Sequence, residues 1–318
     1  MKRTALALGI GLIAIAGMAT SAVAEEWPLR TISMTATFPA GGPTDGIARV
    51  IASELSNRLG RSVVVENKGG AGGTIGAMNV VNSQPDGYSL LMTSSGPLSY
   101  YSILYKSLKY KPTEDLVPIV VVGTIPQVLV ASPKSPATTL AQFIAYAKAN
   151  PGKVTIGDSG VGTTLHILAA MFAKEAGIQI LHVHYRGAAS SLADLSGAQI
   201  DAALSAFLPQ FASMNALGIT SAQRLAALPN VPTFQESGLP IVSGLIVTLA
   251  APAKTPPAII AKVNAAVNDF LKSPAGREFS EKYAVQPVGG SPEEGAAYLS
   301  RDAARLEPVI KSANISID

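Results

Sequence analysis

The chain has 318 residues and a formal net charge of +3, with 6% aromatic residues and no cysteine. It contains no run of basic residues, which argues against nucleic acid or an anionic membrane surface as a partner. Without cysteine, neither disulfide bonds nor a lipid-modified cysteine can form. A chain of this length can bury a core without covalent cross-links, and we expect two domains.

The first 24 residues have the pattern of an export signal. Lys2 and Arg3 precede the apolar run ALALGIGLIAIAGMA, and Ala22-Val23-Ala24 supplies the small residues that a signal peptidase recognises. The apolar run is shorter than a bilayer span. We therefore predict cleavage near Ala24 and a free exported protein, the alternative being an uncleaved anchor.

Strand and helix patterns alternate along the first third of the chain. Strands are predicted at 31–38, 62–67 and 88–94, separated by helices at 45–60 and 74–83. This βαβαβ order is typical of a mostly parallel sheet with helices on both faces.

The alternation continues after residue 116. Strands are predicted at 117–122, 127–132, 153–158, 180–185, 199–206 and 244–252, and helices at 138–150, 165–177, 188–197, 256–272 and 291–312. The Pro-rich segment 228–240 is predicted to be a connection. The chain has no short-period repeat, but two glycine turns, near 38–49 and 156–170, occupy similar positions in two similar units.

Neither glycine turn carries a nucleotide-binding motif. A P-loop requires Lys-Ser/Thr after its glycines, and both GGAGGTIG and GVGTTLHI lack that pair. The dinucleotide fingerprint is broken as well, since Ile75 and Leu165 stand where it requires a glycine. We therefore predict no cofactor.

Enzymatic chemistry has little support in the sequence. No G-x-S-x-G elbow occurs, and the only histidines are His166, His182 and His184. His182 and His184 would share one face of a strand, as two metal ligands can, but no third ligand is evident beside them. We predict that these histidines pack or form hydrogen bonds at a sheet end, with a metal site as the alternative.

The stretch FPAGGPTDGIAR (38–49) is suited to binding an anion through its backbone. Pro43 fits the first helical position and makes Gly42 the cap. The amides of Gly41, Thr44 and Asp45 then lack intrahelical acceptors at the positive end of the helix dipole. We predict that a carboxylate binds there, and that Asp45 pairs with Arg49 four residues later.

Two further segments extend this prediction. SGVGTT (159–164) is a second glycine turn with hydroxyl groups at a helix start. TSSG (93–96) follows the third strand, and the carboxyl ends of strands in open α/β sheets border the binding crevice. Two anion sites on two lobes suit a molecule with two acidic ends.

Several long motifs, in a fixed order, resemble one family across the whole mature chain. FPAGGPTDGIAR, VVVENKGGAGGTIGA, QPDGYSLLM, SGVGTTLH, HVHYRGAASSLADLSGAQID and LPNVPTFQESGLP are similar to segments of the periplasmic binding components of tripartite tricarboxylate transporters, also called Bordetella uptake gene (Bug) proteins. The resemblance implies a type II periplasmic binding fold of two α/β lobes with a hinge and an interlobe cleft. It implies residues 25–124 and 221–318 in lobe one and 125–220 in lobe two.

The resemblance also implies a function and a binding site. Such proteins are not enzymes; they bind small carboxylates, partly through ordered waters, and deliver them to a membrane permease or signal to a sensor kinase. We expect a monomer that binds a small organic acid, without cofactor, metal or nucleic acid. The expected ligand-binding residues are Phe38, Pro39, Ala40, Gly41, Gly42, Pro43, Thr44, Ser94, Ser95, Ser159, Gly160, Val161, Gly162, Thr163, Thr164 and Ser205.

Three departures from the family pattern bear on the ligand. Ser205 stands where many members carry an acid, so an α-amino acid would lack a counter-charge for its ammonium group. PQFASMNALGITSAQRL is shorter than the usual segment, and the second crossing strand is predicted at 216–221. GLIVTLAAP replaces an aromatic-rich strand, which predicts a smoother and less polar lining.

Overall fold

The structure is a computed structural model that describes residues 27–317, so the predicted signal segment and its cleavage point lie outside the described residues. Its strands are β1 (Ile32–Ala36), β2 (Val63–Asn67), β3 (Ser89–Ser94), β4 (Leu116–Ala131), β5 (Val154–Asp158), β6 (Ile180–His184), β7 (Ala202–Ala206), β8 (Asn215–Ile219), β9 (Gly244–Pro252) and β10 (Gln286–Gly289).

The α-helices include most of those predicted from the sequence. They are α1 (Pro43–Leu59), α2 (Thr74–Val81), α3 (Ser95–Leu98), α4 (Tyr101–Leu104), α5 (Pro112–Asp115), α6 (Leu140–Ala149), α7 (Thr164–Ala176), α8 (Ala188–Ser196), α9 (Pro257–Lys272), α10 (Pro274–Tyr283) and α11 (Pro292–Ser312). The short helices α3 to α5, as well as α10 and β10, are absent from the sequence-based expectations. Among the described residues, none of these helices is long and apolar enough to cross a bilayer.

The strands form two α/β lobes that share β4. In the first lobe, β1 lies parallel to both β2 and β3, as the βαβαβ pattern predicts, and β9 joins β3 in antiparallel orientation. In the second lobe, β5 lies parallel to β6 and β7. Apolar side chains of α1 and α9 cover one face of the first sheet, and those of α6 and α7 cover one face of the second.

The sequence-based prediction of two strands at 117–122 and 127–132 is wrong, because β4 runs through both. Residues Leu116–Pro126 pair with β9, and residues Gln127–Ala131 pair with β7 and, over most of that length, with β8. Gly123 lies inside the strand and does not separate two strands. The residue is a glycine because the neighbouring backbone leaves no room for a side chain. A Cβ atom there would lie 2.6 Å from the Gln286 carbonyl oxygen.

The chain returns to the first lobe beside β4. The predicted second crossing strand is shorter than expected and ends at Ile219 as β8, but its hydrogen bonding extends to Thr220. The Thr220 amide donates to the Gln127 carbonyl at 2.9 Å, and Ser243 donates to the Thr220 carbonyl just before β9 begins. Both connections between the lobes are thus hydrogen-bonded to each other, which is the arrangement of a hinge.

Candidate functional site

The stretch 38–49 forms the predicted turn and helix start. Gly42 is the N-cap of α1 and Pro43 its first residue, while Gly60, in the left-handed conformation with φ 69°, ends the helix. Asp45 pairs with Arg49 at 3.0 Å, as the spacing predicts. It also accepts a hydrogen bond from the Gly41 amide at 3.0 Å.

This last contact changes which amides of the turn are free. Burial alone would raise the pKa of Asp45, but hydrogen bonds from Gly41, Arg49 and Asn67 together lower it. The Gly41 amide, which is predicted from the sequence to bind a ligand, thus already donates its hydrogen bond to the Asp45 carboxylate. The Thr44 amide has no acceptor within residues 27–317.

Hydrogen bonds with side chains fix the conformation of the second glycine turn, residues 159–164. Asp158, fully buried at the end of β5, accepts from the Gly160 amide at 2.8 Å. The Gly162 amide donates to Nδ1 of His166 at 3.0 Å. The Thr163 hydroxyl caps α7 by accepting from the His166 amide and donates to the Gly160 carbonyl. The Thr163 amide donates to the Gly160 carbonyl at 3.2 Å, so three of the loop amides expected to bind a ligand already have acceptors.

The three histidines form a cluster around Asp158. The register of β5 and β6 places His184 opposite Asp158, and its Nδ1 lies 2.9 Å from the carboxylate. The ring centroid of His166 lies 4.5 Å from that of His184 and 5.0 Å from that of His182. No acid is evident beside His182 and His184 in the sequence, because Asp158 is 24 and 26 residues away from them along the chain.

The pKa values of the three histidines are shifted in different directions. Burial lowers the pKa of His166 to about 4 and also lowers the pKa of His182. The hydrogen bond with Asp158 raises the pKa of His184. Within the described residues, no group of three or more His, Asp or Glu side chains is arranged to hold a metal ion.

A small cavity of about 30 Å³ lies between the lobes, where the two glycine turns meet. It is large enough for about two water molecules. Its wall combines residues of both lobes: Phe38, Pro39, Gly42, Pro43, Thr44, Ser159, Leu165, Ala188, Ala206 and Leu245.

Three helix N-termini border this cavity. Pro43 and Thr44 belong to the first turn of α1, Leu165 to that of α7 and Ala188 is the first residue of α8. The Leu165 and Ala189 amides have no acceptor within the described chain. The wall and the helix starts beside it therefore carry free amides and positive dipole ends, while none of the ten wall residues is cationic.

The structure brings only part of the predicted site residues to this cavity. Phe38, Pro39, Gly42, Pro43, Thr44 and Ser159 line it, whereas Ala40, Gly41 and residues 160–164 lie in the adjoining turns. Ser94 and Ser95 are buried at the start of α3 and do not reach the wall. Ser205 points away, because adjacent strand residues face opposite sides and its neighbour Ala206 lines the cavity.

Contacts across the lobes close the cavity. Gly187, which precedes α8, lies so near Pro39 that a Cβ atom on it would be 2.8 Å from the proline Cδ. The Tyr100 hydroxyl lies 3.1 Å from that of Thr164. Tyr100 could not be predicted as a site residue, because nothing in the local sequence pattern distinguishes it from an ordinary core tyrosine.

A larger groove of about 610 Å³ lies elsewhere, beside the hinge. Thr124, Pro126, Gly244 and Ile246 line it, together with α11, where Arg305 pairs with Asp302 at 2.8 Å. These strand residues alternate with Ile125 and Leu245, so the groove faces away from the interlobe cavity. It lies outside the region where both lobes and both glycine turns meet.

Comparisons with known proteins agree with this architecture. The family model described as "Tripartite tricarboxylate transporter family receptor" matches residues 47–315. The protein BugT of Bordetella pertussis is 37% identical over 325 residues, which cover 100% of both chains.

Solved structures are similar over most of the chain. An R. palustris structure with adipate has a TM-score of 0.88 at 31% identity, covering 92% of this chain and 99% of that one. MatC from Rhodopseudomonas palustris with bound malate has a TM-score of 0.82 at 28% identity, covering 89% and 100%. The chain therefore belongs to the tripartite tricarboxylate transporter receptor family, as a solute-binding protein of the Bug type.

Proposed function

We propose that this protein binds a small organic acid in the periplasm, after cleavage near Ala24, and delivers it to the permease of a tripartite transporter. The observation that carries the proposal is the meeting of three helix N-termini, those of α1, α7 and α8, at one interlobe cavity. Free amides at positive dipole ends favour an anion, and a carboxylate has the size and charge to accept from them. The related structures with adipate and malate support this ligand class.

Binding on this proposal is coupled to lobe closure. A cavity of about 30 Å³ is too small for a C4 to C6 diacid, so the lobes must separate to admit one. A ligand that accepts hydrogen bonds from both lobes then favours the closed arrangement by population shift. The wall contains two hydroxyl groups, on Thr44 and Ser159, and no titratable side chain, which suits binding rather than catalysis.

A thermal-shift screen of the protein purified from the periplasm tests this function. We expect C4 to C8 dicarboxylates to raise the unfolding midpoint, by roughly 5 °C when the ligand is at a hundred times its Kd. NAD and ATP should have no effect. Stabilisation by a nucleotide, together with no response to any carboxylate, would overturn the proposal.

A sensor kinase is the alternative to the permease as the partner. A sensor kinase in place of the permease would leave the carboxylate site unchanged, and the expected monomer could serve either partner. Crosslinking of the ligand-loaded protein in intact cells distinguishes the two, because it captures either permease subunits or a kinase.

A further inference from the structure

Gln127 is a buried polar residue at the hinge whose side-chain amide is unused. It lies where the pairing of β4 changes from β9 to β7, and its exposed fraction is 0%. Its backbone is fully engaged with Thr220, but neither Oε1 nor Nε2 has a hydrogen-bond partner among the described residues. Burying an amide group without hydrogen-bond partners destabilises the folded protein, so its presence here requires an explanation. Binding of a ligand by the Gln127 amide would supply one.

The strand register places Gln127 on the cleft face of β4. Gln127 is paired with Ala206, and Ile125, two residues earlier, is paired with Leu245. Paired residues lie on the same face of a sheet, as do residues two apart in a strand. Since Ala206 and Leu245 both line the interlobe cavity, the Gln127 side chain lies on the face of the sheet that borders it, although Gln127 itself is buried and is not one of the wall residues.

The chemistry of the amide restricts what it can recognise. Nε2 donates two hydrogen bonds and Oε1 accepts. A carboxylate alone accepts from Nε2 and leaves Oε1 unsatisfied, whereas a hydroxyl group next to a carboxylate satisfies both atoms. An ammonium group could donate to Oε1, but the cavity wall has no acidic side chain to balance its charge.

We propose that Gln127 is the specificity residue of the cleft and that the ligand is a hydroxycarboxylate. The inference rests on the proposed function, since it names the class of acid bound in the same cavity. On this proposal, Gln127 contacts the ligand at the junction of the two lobes when the hinge closes. Acids that lack the hydroxyl leave Oε1 buried and unpaired, which weakens their binding.

Matched pairs of acids test this inference by calorimetry. Succinate against malate, glutarate against 2-hydroxyglutarate and propionate against lactate differ only by one hydroxyl group. We expect the wild type to prefer the hydroxylated member of whichever pair it binds by about tenfold or more. Gln127→Met, which keeps the side-chain length, should reduce this preference to about twofold or less, without lowering the unfolding midpoint of the free protein.

The control is Gln235→Met, the same substitution at an exposed glutamine, which should keep the wild-type preference. A wild type that binds unhydroxylated acids as tightly as hydroxylated ones would overturn the inference, and so would a Gln127→Met variant that keeps the preference. The wild-type preference tests the inference even if the Gln127→Met variant does not fold. If no carboxylate binds the wild type at all, the proposed function fails and this inference fails with it.

Discussion

His166 shows how one side chain fixes the shape of the second glycine turn. Its Nδ1 accepts the Gly162 amide, so the ring must be unprotonated at that atom. Asp158, His182 and His184 face it from β5 and β6, and burial keeps its pKa near 4 despite the nearby carboxylate. Between its ordinary pKa of 6.5 and about 4, the unfolded chain therefore binds a proton at this residue that the folded protein does not.

The expected consequence is a loss of stability in acid. As the pH falls from 6.5 to about 4.5, His166 should cost on the order of 2 kcal/mol of unfolding free energy. His166→Asn keeps an acceptor for Gly162 but does not titrate, so the variant should lose less stability than the wild type over this window. Chemical denaturation at pH 7.0 and 4.5 measures the difference.

His184 should have the opposite effect on the pH dependence of stability. Its pKa is raised, so its contribution is fully present below 6.5 and is lost as the pH rises through its folded value. His184→Asn should therefore lose more stability in acid than the wild type. Equal pH dependence in the wild type and His166→Asn would contradict the role assigned to His166.

At the scale of elements, helices of the first lobe pack directly on α7 of the second. Tyr100, Tyr101, Leu104, Leu306 and Ile310 form one buried cluster with Ile167 of α7. The Tyr100 hydroxyl adds a hydrogen bond to Thr164, the first residue of α7. The N-terminus of α7, which borders the cavity, is thus positioned by contacts from the other lobe.

Tyr100→Phe and Tyr101→Phe separate this interlobe contact from ordinary stability. Both rings are fully buried, and Tyr101 donates to the Gly72 carbonyl within the first lobe at 2.6 Å. We expect each variant to lose about 1 kcal/mol of unfolding free energy. Only Tyr100→Phe should also weaken carboxylate binding, which calorimetry measures; equal affinities in the two variants would show that the Tyr100 contact does not support closure.

At the scale of the whole molecule, closure brings the first glycine turn against the start of α8. Pro39 and Gly187 are the two residues in contact, one from each lobe. The backbone of Gly187 is extended, with φ 169°, so any residue can adopt its conformation. A side chain there would therefore obstruct the approach of the lobes without straining the chain.

Gly187→Ala should accordingly hold the lobes apart. We expect carboxylate affinity to fall about tenfold or more, with the unfolding midpoint of the free protein changed little. Gly197→Ala is the matched control, since a Cβ atom there meets its neighbours at 3.5 Å or more. Small-angle scattering should show ligand-induced compaction in the control and less of it in Gly187→Ala; the same compaction in both would contradict this account.

Local patterns in the sequence were sufficient for most of the secondary structure and for the start of α1. Gly42, Pro43 and Gly60 determine where that helix begins and ends, because capping depends on adjacent residues. The continuity of β4 could not be predicted this way. Gly123 looks like a strand break until the partner strands on both sides, β9 and β10, are known.

The candidate site divides in the same way. The glycine turns and the family resemblance are properties of the sequence by itself, and they determined the fold class and the expectation of a carboxylate. Which amides are free could be seen only in the three-dimensional structure of the turns, because Asp45 and His166, each four residues further along the chain, accept from the Gly41 and Gly162 amides. The same holds for Ser205 and Gln127: strand register, a contact between distant segments, turns the first away from the cleft and the second toward it.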